Sequence, residues 1–161
     1  MKNIFYSSSK EKTRILGKIL CKQLLPGDII FLVGDLGAGK SEFVRGIAEG
    51  LKIKDPIPSP SFTILNVYNN GTIPLNHFDW YRRGSDEELF EIGTDDFLFS
   101  DSISCIEWPS MSDYYFKTLK VLRINIINSI DYSYSRQIII DDSNFTRNIN
   151  LEEIHNEYTS I

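Results

Sequence analysis

The stretch that decides the fold is "DIIFLVGDLGAGKSEFVRGIAEGL", residues 28–51. Its apolar run at 29–33 shows no alternation, which is typical of a strand buried on both faces of a parallel sheet. A glycine-rich stretch follows at 34–39, and apolar residues then recur at helical spacing over about 40–51. The segment therefore predicts a central parallel strand, a loop and a helix in succession, as α/β proteins have.

The loop between this strand and helix fulfils the phosphate-binding pattern GxxxxGK followed by Ser or Thr. Glycines let backbone N–H groups point at phosphate oxygens, and the helix N-terminus adds a partial positive charge. In this pattern Lys40 reaches the β and γ phosphates of ATP and Ser41 binds Mg²⁺. The alternative is a glycine-rich turn without a ligand, which the strand–loop–helix context disfavours. The predicted nucleotide-binding residues of the loop are Asp35, Leu36, Gly37, Ala38, Gly39, Lys40 and Ser41.

The segments on either side of this unit carry weaker signals. Upstream, apolar spacing predicts an amphipathic helix over 13–25, and Ser8 with Glu11 has the spacing of a capping box. Downstream, three prolines in 55–62 predict a shaped loop, because proline fixes φ and lacks an N–H. The "NNG" at 69–71 then predicts a turn between two extended segments.

The second half of the chain predicts short elements of both kinds. Ser85 is a plausible N-cap for a short helix that breaks at Gly93. We expect a single domain over residues 1–161, in which about 146–161 form a polar tail, with a short helix there as the alternative. Further strands are predicted at 102–107, 119–127 and 134–140.

Two carboxylates end apolar stretches, Asp79 in "IPLNHFDW" and Glu107 in "ISCIEW". Either acid could complete a Mg²⁺ site or orient an attacking water, although for either one taken singly a solvated acid at a strand end is the better interpretation. His77 alternates with Asp79 and so shares its face of the strand. This predicts a structural hydrogen bond between the two rather than base catalysis by His77.

Composition excludes several classes of function. The chain has 161 residues, a formal net charge of −5 and no run near the roughly 20 apolar residues of a membrane span. With no recognisable signal peptide, we expect a cytoplasmic protein that does not bind a membrane. The net negative charge argues against direct binding of nucleic acid, because such binding needs clustered Lys and Arg side chains. Cys21 and Cys105 lack metal-binding spacing and are expected to be buried thiols.

Four short sequences, in order, resemble those of one protein family. They are "GDLGAGKS" (34–41), "SPSF" (59–62), "HFDWYR" (77–82) and "IEWP" (106–109), and with the leading helix they cover most of 8–110. The chain is similar in these positions to the TsaE (YjeE) family, the bacterial ATPase subunits of the machinery that makes threonylcarbamoyladenosine in tRNA.

The resemblance implies a P-loop NTPase-like three-layer α/β fold, with a central parallel sheet extended by antiparallel strands. It implies a Mg²⁺-dependent ATP hydrolase, weak alone, that acts with TsaB- and TsaD-type proteins and reaches tRNA only through their complex. The TsaD-type partner transfers a threonylcarbamoyl group to the adenosine beside the anticodon. The implied cofactors are ATP and Mg²⁺.

The same resemblance assigns roles to the polar residues. It makes Ser41 and Glu107 the Mg²⁺ ligands, and it counts Lys40, Asp79 and Glu107 as catalytic, with Asp79 near the γ-phosphate in a direct or supporting role. The family usually has Thr where this chain has Ser41. Serine supplies the same hydroxyl without the methyl group that stiffens the side chain.

Other positions are implied to sense the nucleotide or meet a partner. The loop at 59–63 would be a switch, and Trp108 resembles a tryptophan that affects activity, although an anchoring role is equally open. Thr13 and Arg136 are candidates for the adenine pocket by position, with surface roles equally open. The switch or partner residues are Ser59, Pro60, Ser61, Phe62, Thr63, Tyr81, Arg82 and Trp108.

Two other functions share the glycine loop. A small-molecule kinase usually adds a lid and an arginine-rich acceptor pocket, for which the chain has too little length and few arginines after the loop. A scaffold that binds nucleotide without hydrolysis is disfavoured by the acids at 79 and 107. A GTPase would need N-K-x-D, and the nearest string, "NHFD" at 76–79, lacks the lysine.

Overall fold

The computed structural model describes residues 3–60, 62–82, 85–130 and 135–161. The strands are β1 (Ile4–Ser7), β2 (Ile29–Val33), β3 (Leu65–Tyr68), β4 (Leu75–Asp79), β5 (Ile103–Glu107), β6 (Leu122–Asn128) and β7 (Arg136–Asp141). The helices are α1 (Lys10–Cys21), α2 (Lys40–Gly50), α3 (Asp86–Glu91), α4 (Thr94–Leu98), α5 (Asp113–Thr118) and α6 (Leu151–Thr159), with a 3-10 turn at Pro109–Met111.

The seven strands form one sheet in the order β1-β7-β6-β2-β5-β4-β3. β2 lies in the middle and pairs in parallel with both β5 and β6, and β5 pairs in parallel with β4. The three remaining strands join antiparallel at the two sides. The predicted central parallel sheet with antiparallel extensions is confirmed, because the uninterrupted apolar run of β2 is buried on both faces.

Helices cover both faces of the sheet. α1, α2 and α6 pack on the face that carries Ile30 and Leu32, whereas α3, α4 and α5 pack on the face that carries Phe31. Alternate residues of β2 thus anchor two separate cores. This is the predicted three-layer α/β arrangement.

Two glycines bring α1 and α2 into backbone contact. A Cβ atom on Gly46 would lie 1.9 Å from the Arg14 carbonyl oxygen, and one on Gly17 would lie 2.3 Å from the Phe43 carbonyl oxygen. No larger side chain fits at either position without moving a helix. This close packing fixes α2, whose first residue is Lys40, against the rest of its layer.

The predicted cap of α1 is displaced by one residue. Ser9, not Ser8, is the N-cap, and its hydroxyl accepts a hydrogen bond from the Lys12 N–H at 3.1 Å. The prediction of a Ser8–Glu11 capping box is therefore wrong, since β1 extends to Ser7 and the helix begins at Lys10. The strand itself was missed because four residues give too short an alternation to detect.

Several later elements agree with the sequence and others add to it. Ser85 caps α3, as predicted, and β3 and β4 form the expected hairpin. Gly93, with a φ of 76°, ends the first helix and separates α3 from α4. The segment 146–161, described above as a polar tail, contains α6. Its Ile154 and Tyr158 are buried in the same core as α1, so its apolar positions belong to the packed structure. Helix α5 had no sequence prediction.

Candidate functional site

A cleft of about 270 Å³ lies where β2, β4 and β5 end. Ligands of open parallel sheets bind at the carboxyl ends of the strands, so this is the expected place for a site. The cleft has both basic and acidic walls. Its lining residues are Lys10, Leu36, Gly37, Gly39, Lys40, Ser41, Glu42, Arg45, Ser59, Asp79, Tyr81, Glu107, Trp108 and Arg136.

The glycine loop turns sharply between β2 and α2. Gly37 and Gly39 have φ values of 77° and 111°, in the left-handed region that favours glycine. The Ala38 N–H donates to the Asp35 carbonyl at 3.0 Å, which closes the turn. As a result the N-terminus of α2 faces the cleft, where its N–H groups and dipole favour an anion.

Lys40 is buried at the first position of α2. Its Nζ donates to the Gly34 and Asp35 carbonyl oxygens at 2.6 and 2.8 Å, and it lies 4.2 Å from the centre of the Trp108 ring. Burial lowers the pKa of Lys40, and the nearby carboxylates, Glu107 foremost, oppose that shift. Two neutral carbonyl oxygens and the face of the Trp108 ring thus hold the lysine within the loop.

Ser41 and Glu107 meet although 66 positions separate them. The Ser41 hydroxyl lies 3.1 Å from each carboxylate oxygen of Glu107, which is buried at the end of β5. The contact forms because β2 and β5 are parallel neighbours, so that the start of α2 and the end of β5 share one edge. A hydroxyl and a carboxylate side by side are oxygen ligands that suit Mg²⁺.

The expected hydrogen bond between His77 and Asp79 is wrong. His77 Nε2 instead lies 2.8 Å from Oε2 of Glu107, on the neighbouring strand. Asp79 accepts from the Tyr81 N–H at 2.9 Å and pairs with Glu107 in the register of β4 and β5. The sequence could show that His77 and Asp79 share a face, but only the strand order shows which acid lies closer.

The proline loop borders the cleft through Ser59. The Pro60 carbonyl accepts from the Thr63 and Ile64 N–H groups at 3.2 and 3.0 Å, which turns the chain into β3. Phe62 projects from this turn and is 87% exposed. Ser61, a predicted switch position, lies outside the described residues.

Aromatic side chains gather at the far wall. Trp108 has a left-handed backbone (φ 58°) and its ring lies 4.6 Å from that of Tyr81. The Arg82 guanidinium lies 5.4 Å from the Phe62 ring, which links the segment after β4 to the proline loop. Of the predicted switch or partner residues, Ser59, Tyr81 and Trp108 line the cleft, whereas Arg82 contacts the loop behind Ser59.

The two adenine-pocket candidates differ in position. Arg136 lines the cleft and packs on the loop, since a Cβ on Gly39 would lie 3.1 Å from its Nε. Thr13 is fully buried, and its hydroxyl shares a 2.8 Å hydrogen bond with Ser7 and donates to the Ser9 carbonyl. Thr13 therefore supports the start of α1 and does not face the cleft.

Three lining residues were not predicted from the sequence, Lys10, Glu42 and Arg45. Lys10 opens α1, and no motif marks it. The Arg45 Nε donates to the Ile57 carbonyl at 2.8 Å, which ties α2 to the proline loop. The signal that could have found Arg45 and Glu42 is their place on the first two turns of a helix that starts with Lys40.

The two cysteines are free and buried, as expected. Burial raises the pKa of Cys21 to about 11 and also raises that of Cys105, so both favour the neutral thiol. Across the described part of the chain, no helix is both long enough and apolar enough to cross a bilayer.

Comparison with known protein families and solved structures shows what this chain is similar to. The model of the family described as "Threonylcarbamoyl adenosine biosynthesis protein TsaE" matches residues 7–138. A crystal structure of YdiB from Bacillus subtilis superposes with a TM-score of 0.72 at 29% identity, over 98% of this chain and 93% of that chain.

Two curated relatives carry the name "tRNA threonylcarbamoyladenosine biosynthesis protein TsaE". The Nostoc protein is 40% identical over 144 residues, which span 88% of this chain and 86% of the relative. The Bacillus subtilis protein is 41% identical over 101 residues, 63% of each chain. The family match over residues 7–138 and the similarity to the Nostoc protein along most of both chains show that this chain belongs to the TsaE family.

Proposed function

We propose that this protein is a Mg²⁺-dependent ATP hydrolase that acts in threonylcarbamoylation of the tRNA adenosine beside the anticodon, together with TsaD- and TsaB-type proteins. One observation carries the proposal. The Ser41 hydroxyl and the Glu107 carboxylate lie side by side at the start of α2, next to Lys40 in a loop built for phosphate. The family match supplies the tRNA pathway.

The donor set fits the metal ion that such a reaction needs. Mg²⁺ prefers oxygen ligands, takes one or two from the protein, and completes its shell with phosphate oxygens and water. Ser41 and Glu107 would hold it. When bound, Mg²⁺ neutralises the negative charge that develops on the phosphates.

The chain's own groups would do the remaining work. The N–H groups at the start of α2 and the charge of Lys40 would bind the phosphates, and binding would release Lys40 from its two carbonyl partners. Asp79, buried beside Glu107, would accept a hydrogen bond from the attacking water. Trp108 and Tyr81 would exclude bulk water from that side of the cleft.

Exposed apolar side chains at the cleft support a need for partners. Leu36, on the glycine loop, is 77% exposed, and Phe62, on the proline loop that borders the cleft, is 87% exposed. Large exposed apolar groups that flank a site are typical of protein contact surfaces. The net charge of −5 favours contact with the partner proteins over direct contact with tRNA.

The test is phosphate release from ATP and Mg²⁺ by the protein alone and with purified TsaB- and TsaD-type proteins plus unmodified tRNA, with modified adenosine scored in the same tubes. We expect slow hydrolysis alone, faster hydrolysis with the partners and repeated tRNA modification. Fast hydrolysis that ignores the partners, or phosphate transfer to a small acceptor, would contradict the proposal and favour an independent ATPase or a kinase.

A further inference from the structure

We propose that His77 is a positioning residue for Glu107: its ring holds one carboxylate oxygen, so that the other oxygen and the Ser41 hydroxyl stay aligned for Mg²⁺. The inference rests on the proposed function, since it concerns the same site. It is separate from the sequence expectation, which joined His77 to Asp79. The residue lies on β4, whereas the carboxylate that it holds ends β5.

The contact is short and removed from solvent. His77 Nε2 and Glu107 Oε2 are 2.8 Å apart, and their side chains are 0% and 4% exposed. In the register of the two strands His77 stands opposite Cys105, two residues before the Asp79–Glu107 pair. The Glu107 side chain therefore leans back along the sheet to reach the imidazole.

The chemistry of the pair decides where the proton lies. An ionised carboxylate only accepts hydrogen bonds, so His77 must donate from Nε2 to Glu107. Nδ1, the other ring nitrogen, is buried and has no hydrogen-bond partner among the described residues. A proton on Nε2 thus satisfies the one strong contact that the ring makes. The imidazole acts as a fixed N–H donor.

Such a donor is useful because Ser41 does not distinguish the two oxygens. Its hydroxyl is 3.1 Å from both Oε1 and Oε2, which leaves rotation of the Glu107 carboxylate undetermined. His77 contacts Oε2 alone and so sets that rotation. Partners that orient a metal-binding side chain typically change metal affinity by about 10- to 100-fold when they are removed.

The first experiment compares two variants of the full-length protein. His77→Leu keeps an apolar filling but removes the donor, and His77→Gln offers an amide N–H near the position of Nε2. Affinity for a fluorescent ATP analogue is measured in EDTA and during a Mg²⁺ titration. For His77→Leu we expect unchanged affinity in EDTA and a roughly 10-fold or greater rise in the Mg²⁺ concentration needed, with His77→Gln close to wild type.

A second arm uses the same titration in a double-mutant cycle with Glu107→Gln. If His77 acts through Glu107, adding His77→Leu to Glu107→Gln changes the Mg²⁺ requirement little, because the position being held no longer carries the metal-binding charge. Equal losses in both backgrounds would overturn the inference. So would equal losses of affinity with and without Mg²⁺, since these indicate a merely structural role.

A third arm needs no metal and guards against poor folding of His77→Leu. The chain has two histidines, so ¹⁵N-histidine NMR of His155→Gln protein reports on His77 alone. We expect a proton on Nε2, and a ring that carries its only proton on Nδ1 would overturn the inference. Wild-type protein without any Mg²⁺ requirement would overturn the proposed function and this inference together, whereas a Mg²⁺ requirement that His77→Leu leaves unchanged would overturn the inference alone.

Discussion

The two ends of strand β2 carry buried charges of contrasting kinds. At its start, Arg147 donates to both oxygens of Asp28 at 2.7 and 2.6 Å and to the Gln23 carbonyl at 2.8 Å, and Asp28 also accepts from the Leu25 N–H. At its end, the hydrogen bonds of Lys40 to described residues go to backbone carbonyls, although carboxylates lie near it.

The difference separates a charge pair that holds the fold from charges arranged for a ligand. The Arg147–Asp28 pair is closed, because each charge has a geometrically matched partner within the chain. In the cleft, Lys40 has no hydrogen bond to a carboxylate among the described residues, although Arg45 and Glu42 on the same wall form an ion pair. We therefore expect changes at the first end to affect stability and changes at the second to affect nucleotide binding and turnover.

The largest effect is expected for Arg147→Met. It leaves the Asp28 carboxylate buried without its matched cation, which costs about 3 kcal/mol of unfolding free energy, at the lower end for a buried pair because Arg147 is 29% exposed. Chemical denaturation measures the loss, and nucleotide affinity should stay at the wild-type level. Lys120→Met, an exposed change nearby, is the control and should lie within about 0.5 kcal/mol of wild type.

Asp79→Asn tests the opposite end of the sheet. The amide oxygen that the change introduces can still accept from the Tyr81 N–H, so nucleotide binding should persist. Hydrolysis with the partner proteins should drop by roughly 100-fold if Asp79 orients the water. A collapse of nucleotide binding instead would place Asp79 in the scaffold of the cleft.

Lys40→Ala sharpens the contrast by removing a buried charge whose hydrogen bonds go to neutral carbonyl oxygens of the loop. Loss of its charge-assisted phosphate contact is typically worth about 1.5–3 kcal/mol, which lowers ATP affinity by about 10- to 160-fold. Lys10→Ala, at the exposed rim of the same cleft, is the matched control and should lose far less. Wild-type affinity in Lys40→Ala protein would remove the assignment of the loop to phosphate binding.

The smallest effect is expected for Ser41→Thr. Threonine keeps the hydroxyl that lies 3.1 Å from the Glu107 oxygens, so Mg²⁺-dependent nucleotide affinity should change by less than about threefold. Ser41→Ala removes the hydroxyl and serves as the comparison. An equal loss in both variants would show that the site lacks room for a methyl group.

Local sequence patterns predicted much of this molecule, because the spacing of apolar residues and glycines determines which strand, turn or helix forms. The run at 29–33 gave a buried strand, the glycines at 37 and 39 took up positive φ values, and Lys40 began a helix. Ser85, which caps α3, and Gly93, which separates α3 from α4, likewise affect only the few residues next to them. Where the interacting residues lie within a few positions of each other, the sequence alone was enough to predict the local structure.

Predictions failed where the partner lay elsewhere in the sheet. His77 was assigned to the nearest acid in sequence, yet its partner is Glu107, 30 positions away. Thr13, one of two candidates for the adenine pocket, is buried and supports the start of α1, and a role toward the nucleotide stays a prediction. The polar segment at 146–161 forms a short helix, which the sequence left open, but its packing against α1 through Ile154 and Tyr158 was not predicted.

The sequence alone determined the strand, loop and helix that would receive phosphate, because those elements depend on periodicity and on glycine geometry within about a dozen residues. The tertiary structure decided which side chains meet there. Parallel pairing of β2 with β5 brings Glu107 to Ser41, pairing of β5 with β4 brings His77 to Glu107, and the last strand brings Arg136 to Gly39. These contacts follow from strand order and register, which long-range burial fixes and no local pattern encodes.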